Sequence, residues 1–251
     1  MVSASRGYDC IITMPEKMSN EKVNILKGLG AKVVRTPTEA AFSDPDSHIE
    51  TAKRIRDATP NSHILDQYNN PDNFGAHLRN TGPEIIQQTG GNFDYFFVGA
   101  GTGGTGTGCI KAMKEQNLKA KYIGVDPYGS IIADPEDLSQ LELPSYKVEG
   151  IGYDFIPKNC ERDEFDGWVK IGDAESFELA RAMLKKEGLL CGGSCGSAMA
   201  GCFKYLKENN LHDNEKLRCV VVLPDSVRNY MTKHISDEWM VKNNFLPTEH
   251  F

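Results

Sequence analysis

Apolar residues recur along the chain in two alternating rhythms, short runs of strand length and longer stretches spaced three or four residues apart. Tyr8 to Thr13 reads as a strand. Ser19-Asn20 starts a helix whose buried side is Val23, Ile25, Leu26 and Leu29, Gly30 ends it, and Ala31 to Arg35 is the next strand. A helix over Ser47 to Ala58, a short strand near His63 to Leu65 and a helix from about Gly75 to Thr89 follow. Strand Asp94 to Val98, helix Gly104 to Glu115 and strand Lys121 to Val125 make a second βαβ unit. Helices over Glu175 to Lys186 and after Ser194 precede a last strand, Arg218 to Leu223. This alternation predicts the α/β class, with parallel twisted sheets flanked by helices. Met1 to Gly7 reads as the last two turns of a helix terminated by Gly7, so the chain is expected to begin inside an element whose upstream structure is lost or supplied by another polypeptide.

Composition narrows the function classes. The chain has 251 residues, 39% hydrophobic and 25% charged, which is ordinary for a globular protein with a sizeable core. A net charge of −7 supplies no basic field for nucleic acid or anionic lipid, and no apolar run approaches the roughly 20 residues of a membrane span. A cytoplasmic protein acting on small molecules, with neither nucleic-acid nor membrane partner, is expected. Seven cysteines, an odd number with no signal peptide, fit free thiols in a reducing compartment. Cys191, Cys195 and Cys202 match neither CxxC redox spacing nor a common zinc pattern and read as buried apolar thiols. The six histidines form no ligand pair, and no metal site is expected.

Two glycine-rich turns carry the chemistry. Gly99-Ala100-Gly101-Thr102-Gly103-Gly104-Thr105 follows the apolar run Tyr95 to Val98 and opens a helix. Glycines let backbone approach a ligand, Thr102 and Thr105 add hydroxyls, and the N–H groups of a helix start point at an anion, so this is a phosphate cradle. Gly99, Gly101 and Gly104 also satisfy GxGxxG, and Asp126 ends the next strand where a dinucleotide fold places its ribose carboxylate, so a dinucleotide remains an alternative on these residues. The second turn, Gly188 to Ser197, puts Ser194 at or near a helix N-cap after two glycines that admit a planar ring. A phosphate loop plus a distant hydroxyl suits a phosphorylated heterocycle.

An ordered set of blocks then covers essentially the whole chain: Met14-Pro15-Glu16-Lys17-Met18-Ser19, Ser62 to Tyr68, Gly101 to Thr105, Ile123 to Pro127, Val148 to Pro157, Glu187 to Ser194 and Leu223 to Lys233. In these blocks the chain resembles the pyridoxal-phosphate catalytic core of the cystathionine β-synthase and cysteine synthase family. The resemblance implies a fold type II, tryptophan synthase β-subunit-like architecture, N-terminally incomplete. Residues 1–65 would be a partial small mobile subdomain and 66–251 the large cofactor-binding one, with neither a haem region nor paired C-terminal regulatory domains. It implies pyridoxal 5'-phosphate, held at the phosphate by Gly101, Thr102, Gly103, Gly104 and Thr105 and at the ring nitrogen by Ser194, with Tyr68, Gly150, Gly152 and Tyr153 lining the substrate pocket. The implied reaction joins L-serine and L-homocysteine into L-cystathionine and water, the transsulfuration step of cysteine biosynthesis, in a homodimer that carries no haem in this chain. In the family the Schiff-base lysine lies upstream of the strand matching Tyr8 to Thr13, so no catalytic residue is assigned here. Lys17 and Lys22 read as solvated, and impaired turnover is expected. Cysteine synthase-type β-replacement and a catalytically silent partner protein are the alternatives. Two departures stand out: Cys195 replaces a usual alanine, and Gly106 replaces a common β-branched residue, loosening the helix opening.

Overall fold

The computed structural model describes residues 1–38, 40–133 and 146–246. The chain divides into two compact units, Met1–Leu65 with Arg228–Phe251, and Asp66–Val227. In the first unit, helix α1 (Val2–Arg6) ends on Gly7, whose φ of 71° lies in the left-handed region. Strand β1 (Ile11–Pro15), helix α2 (Asn20–Gly28) and strand β2 (Lys32–Thr36) form the first βαβ unit, the strands pairing in parallel from Ile11 opposite Lys32. Helix α3 (His48–Ala58) is capped by Ser47, whose Oγ accepts from the Glu50 N–H at 3.1 Å.

The second unit holds helix α4 (Asp72–Ala76), a π-helical turn (His77–Thr81), helix α5 (Gly82–Thr89), strand β3 (Tyr95–Gly99), helix α6 (Gly104–Glu115) and strand β4 (Lys121–Pro127). Strand β5 (Gly167–Ile171), helices α7 (Asp173–Glu187) and α8 (Gly193–Glu208) and strand β6 (Cys219–Val221) complete it. Helix α9 (Asp237–Lys242) belongs to the first unit. The four strands run parallel in the order β5-β4-β3-β6. Alternate residues of β3 feed two cores: Phe96 and Val98 pack with Cys109, Ile110 and Met113 of α6, while Phe97 packs with Ile123, Val125, Ala200 and Cys202 toward α8. Helices on both faces explain why β3 is an unbroken apolar run.

Several expectations need correction. The first strand starts at Ile11, because Tyr8 is 70% exposed and precedes the pairing with β2. His63 to Leu65 is not a strand: it lies between left-handed residues Asn61 and Asp66, and Leu65 is 82% exposed. Of the apolar stripe on α2 only Val23 is buried. Strand β5 escapes the periodicity because Lys170, itself buried, interrupts its apolar pattern. The helix expected from Gly75 begins at Asp72 and widens into the π-helical turn before Gly82.

Candidate cofactor site

The loop after β3 is braced from three distant parts of the chain. A Cβ on Gly101 would overlap the Gly150 carbonyl, one on Gly103 would overlap Cys160, and one on Gly104 would overlap the Asn73 side chain. Gly103 also has φ of 81° and precedes the first residue of α6, so glycine is required there by both conformation and space. The two threonine hydroxyls are oriented from the helical segment that crosses α6. Asn73 Nδ2 donates to Thr102 Oγ1 at 3.0 Å and to the Gln67 carbonyl at 2.6 Å. Thr105 Oγ1 lies 3.2 Å from His77 Nε2, and His77 Nδ1 lies 2.9 Å from Thr81 Oγ1. Burial lowers the His77 imidazole from its ordinary pKa, which favours the neutral ring that links Thr105 to Thr81. A π-helical turn supplies this spacing, in keeping with the tendency of such turns to occur at functional sites.

The segment carrying Gly150, Gly152 and Tyr153 is strapped to the same loop. The Gly152 N–H donates to the Ala100 carbonyl at 2.8 Å, and Ser130 Oγ bonds both the N–H and the carbonyl of Tyr153 at 3.1 Å. Gly150, with φ of 93°, faces Ser194: a Cβ built on it would lie 3.9 Å from Ser194 Oγ with nothing nearer. Ser194 is buried, and its Oγ has no hydrogen-bond partner among the described residues. The Ser194 hydroxyl therefore faces glycine backbone with no side chain between them. Ser194 lies near the helix start, as the sequence led us to expect: Gly192 is the cap, with extended backbone, and Ser194 sits in the first turn of α8.

Tyr68, Tyr153 and Phe155 form a cluster with ring centroids 5.1–5.4 Å apart. Tyr68 and Tyr153 share a side-chain hydrogen bond, and burial raises both phenols above their ordinary values, so they remain neutral donors and acceptors. Asn159 holds the turn before this cluster by donating to the carbonyls of Gln67 at 2.8 Å and Asn70 at 3.0 Å.

The structure thus brings Gly101 to Thr105, Gly150, Gly152 and Tyr153 together, and Gly150 in turn meets Ser194. Asn73, His77 and Asn159 went unnoticed in the sequence, although the i,i+4 spacing of His77 and Thr81 was a visible signal. Asp126 does not face the loop as a ribose ligand would. It is fully buried, and one carboxylate oxygen accepts from Lys170 Nζ at 2.7 Å and from the Ala133 N–H at 3.0 Å. That removes the support for a dinucleotide. Gly106 is likewise no loose joint, since the Phe165 ring fills the space where a side chain would start. Among the described residues no three metal-ligating side chains cluster, no helix is long and apolar enough to cross a membrane, and all seven cysteines are unbridged.

Comparison with known proteins agrees with this geometry. Residues 1–225 match the family described as Pyridoxal-phosphate dependent enzyme. The chain is 53% identical over 253 residues to a cystathionine beta-synthase of Dictyostelium discoideum, with all of this chain and 49% of that protein covered. It is 53% identical over 249 residues to that of Mus musculus, covering 99% of this chain and 44% of the relative. The chain therefore spans about half the length of these relatives. Among solved structures, the O-acetylserine dependent cystathionine beta-synthase of Helicobacter pylori superposes with a TM-score of 0.80 at 35% identity, over 92% of this chain and 72% of that one.

Proposed function

Because the chain belongs to the pyridoxal-phosphate dependent enzymes, with their type II fold, we propose that its second unit holds this cofactor for β-replacement on a small amino acid. The observation that carries the reading is the pairing of a braced, hydroxyl-bearing glycine loop with the unpartnered Ser194 hydroxyl that faces Gly150. The N–H groups from Gly101 to Thr105 and the hydroxyls of Thr102 and Thr105 bind the phosphate, and Asn73 and His77 keep those hydroxyls in place. Ser194 Oγ meets the ring nitrogen. When bound, pyridoxal phosphate takes up the electron pair that remains on an amino acid's α carbon once its proton departs. A neutral hydroxyl at the ring nitrogen, in place of a carboxylate, keeps that sink weak, which favours elimination and replacement over transamination. Tyr68 and Tyr153 wall the substrate side and exclude water.

The substrates of this reading are L-serine and L-homocysteine. The serine β-carbon loses its hydroxyl, the homocysteine thiol loses its proton, a C–S bond forms, and L-cystathionine and water leave. O-acetylserine in place of serine is the second reading, favoured by the likeness to a protein described as O-acetylserine dependent. Turnover by this chain alone is impaired in our reading. The one buried lysine among the described residues, Lys170, is held by Asp126 and by the Ser130 carbonyl, each at 2.7 Å, and is not available to bond the cofactor.

The test is an absorbance titration of the purified chain with pyridoxal phosphate, followed by borohydride, then product assays pairing serine or O-acetylserine with homocysteine. Saturable binding that borohydride does not make covalent, with little product, is expected. Ser194→Ala should weaken binding roughly threefold to tenfold, the worth of one hydrogen bond of about 0.5–1.5 kcal/mol. Absence of binding overturns the assignment. Covalent fixation to a lysine with brisk product formation overturns the impairment, and product from O-acetylserine alone selects the second reading.

A further inference from the structure

Seven thiols lie in this chain, and the reaction above uses none of them. Two of them flank Ser194. Cys191 and Cys195 are both buried, at 4% and 0% exposure, in a sulfur-rich cluster with Met183, against which Met199 and Leu223 pack. Cys195 lies in the first turn of α8, and Cys191 immediately precedes the Gly192 cap. The single S–H of Cys195 has three acceptors in reach, the Cys191 sulfur, the Asp225 carbonyl at 3.4 Å and the Asp225 Oδ1 at 3.7 Å. Cys191 is pinned by a bridge to Ser226, and the Gly192 N–H donates to the Asp225 carbonyl at 3.3 Å. Cys191 and Cys195 thus share one buried cluster, and only Gly192, Gly193 and Ser194 separate them in the chain, a turn in which two glycines leave the backbone free of side chains.

We propose that Cys191 and Cys195 form a dithiol site that a hydroperoxide converts into an intramolecular disulfide, tying down the turn that carries Ser194. Cys191 is the attacking sulfur. It sits at the positive end of α8, where a thiolate is favoured, beside Leu189 and Leu190, which are 42% and 63% exposed. The Cys195 hydrogen bond lowers the Cys191 thiol below its ordinary value and raises that of Cys195, the asymmetry required of an attacking and a resolving sulfur. The Cys191 sulfur takes one peroxide oxygen as a sulfenic acid, and the O–O bond breaks to release an alcohol or water. The Cys195 sulfur then displaces the hydroxyl, which leaves as water with the Cys195 proton, and two electrons have passed from the sulfur pair to the peroxide. The other neighbouring pair, Cys202 and Cys219, joins the middle of α8 to β6 and so ties two separate elements rather than one turn.

The effect on cofactor binding rests on the reading of Ser194 given above, whereas formation of the bridge does not. Peroxide-treated and reduced chain, alkylated and digested at lysines and arginines, yields a peptide from Glu187 to Lys204 that holds Cys191, Cys195 and Cys202. The expected oxidised peptide is lighter by two hydrogens and alkylated at Cys202 alone. Cys195→Ala should block the bridge and leave Cys191 as a sulfenic acid trapped by a 1,3-diketone, whereas Cys202→Ala should leave the bridge intact. Alkylation of all three cysteines after peroxide, or a bridge that survives Cys195→Ala, overturns the dithiol. The bridged chain should bind pyridoxal phosphate roughly threefold to tenfold more weakly, with recovery on reduction. Unchanged affinity in the bridged chain overturns the coupling to Ser194. Failure of the reduced chain to bind the cofactor counts against the functional reading, and the peptide masses still decide the dithiol.

Discussion

Asp126 and Lys170 show how a single residue can mislead when its partner is far away in the chain. The carboxylate ends a strand downstream of a glycine loop, which is where a ribose ligand is sought, but its charge is answered by a lysine 2.7 Å away on β5 with 3% side-chain exposure. Burial raises the Asp126 carboxyl and lowers the Lys170 ammonium, and each partner opposes the other's shift. The second carboxylate oxygen is buried with no partner among the described residues, so the site tolerates little further loss. Lys170→Met leaves this charge uncompensated and should cost about 3–5 kcal/mol. Adding Asp126→Asn in the same chain should restore most of that. Urea midpoints measure both, and a loss under about 1 kcal/mol for the single change would remove the pair from the stability account. Nothing adjacent in sequence announces this contact, which is why neither residue's role was legible.

At the scale of elements, legibility followed how much of the instruction is local. β3, the glycine loop and α6 were readable because an apolar run, a glycine cluster and a helical stripe adjoin one another. The π-helical turn was not, since it depends on α6 packing against the 72–89 segment. Here Gly82 and Gly108 of the facing helices leave no room for side chains. α8 is similar. Its start was readable from its glycines, but the reason for Gly196 lies in α7, where an added Cβ would overlap the Ser176 carbonyl and Ala180. Ser197 Oγ donates to Ser176 Oγ at 2.8 Å beside it. Gly196→Ala gains helix propensity of about 1 kcal/mol yet forces the two helices apart, at about 1–3 kcal/mol. The expected net effect is a lower urea midpoint with cofactor affinity reduced through Ser194, and a raised midpoint would show that the helices separate freely.

For the whole molecule, the two units differ in how they are built. The second has a four-stranded sheet covered on both faces, with Phe96, Phe97, Ile110, Met113 and Ile123 fully buried. The first has a two-stranded sheet, and the neighbouring helix α2 buries only Val23. Two-stranded sheets are marginal unless packed. Amide hydrogen exchange should therefore run faster in β1 and β2 than in β3 and β4, and added pyridoxal phosphate should slow exchange at Gly101 to Thr105 and the start of α8 first. Equal protection in the two sheets would contradict this account.

The bracing of the glycine loop also bears on how such a chain can change through descent. Gly101, Gly103 and Gly104 are each blocked by a different distant segment, at Gly150, Cys160 and Asn73. A larger residue at Gly104 is tolerated only if the Asn73 side chain shrinks or shifts, whereas backbone blocks Gly101 and Gly103, and Gly103 is fixed by its left-handed conformation as well. Substitutions at Gly104 should accordingly co-vary with position 73, and the loop grafted into another sheet without those three segments should lose its shape before it loses its glycines.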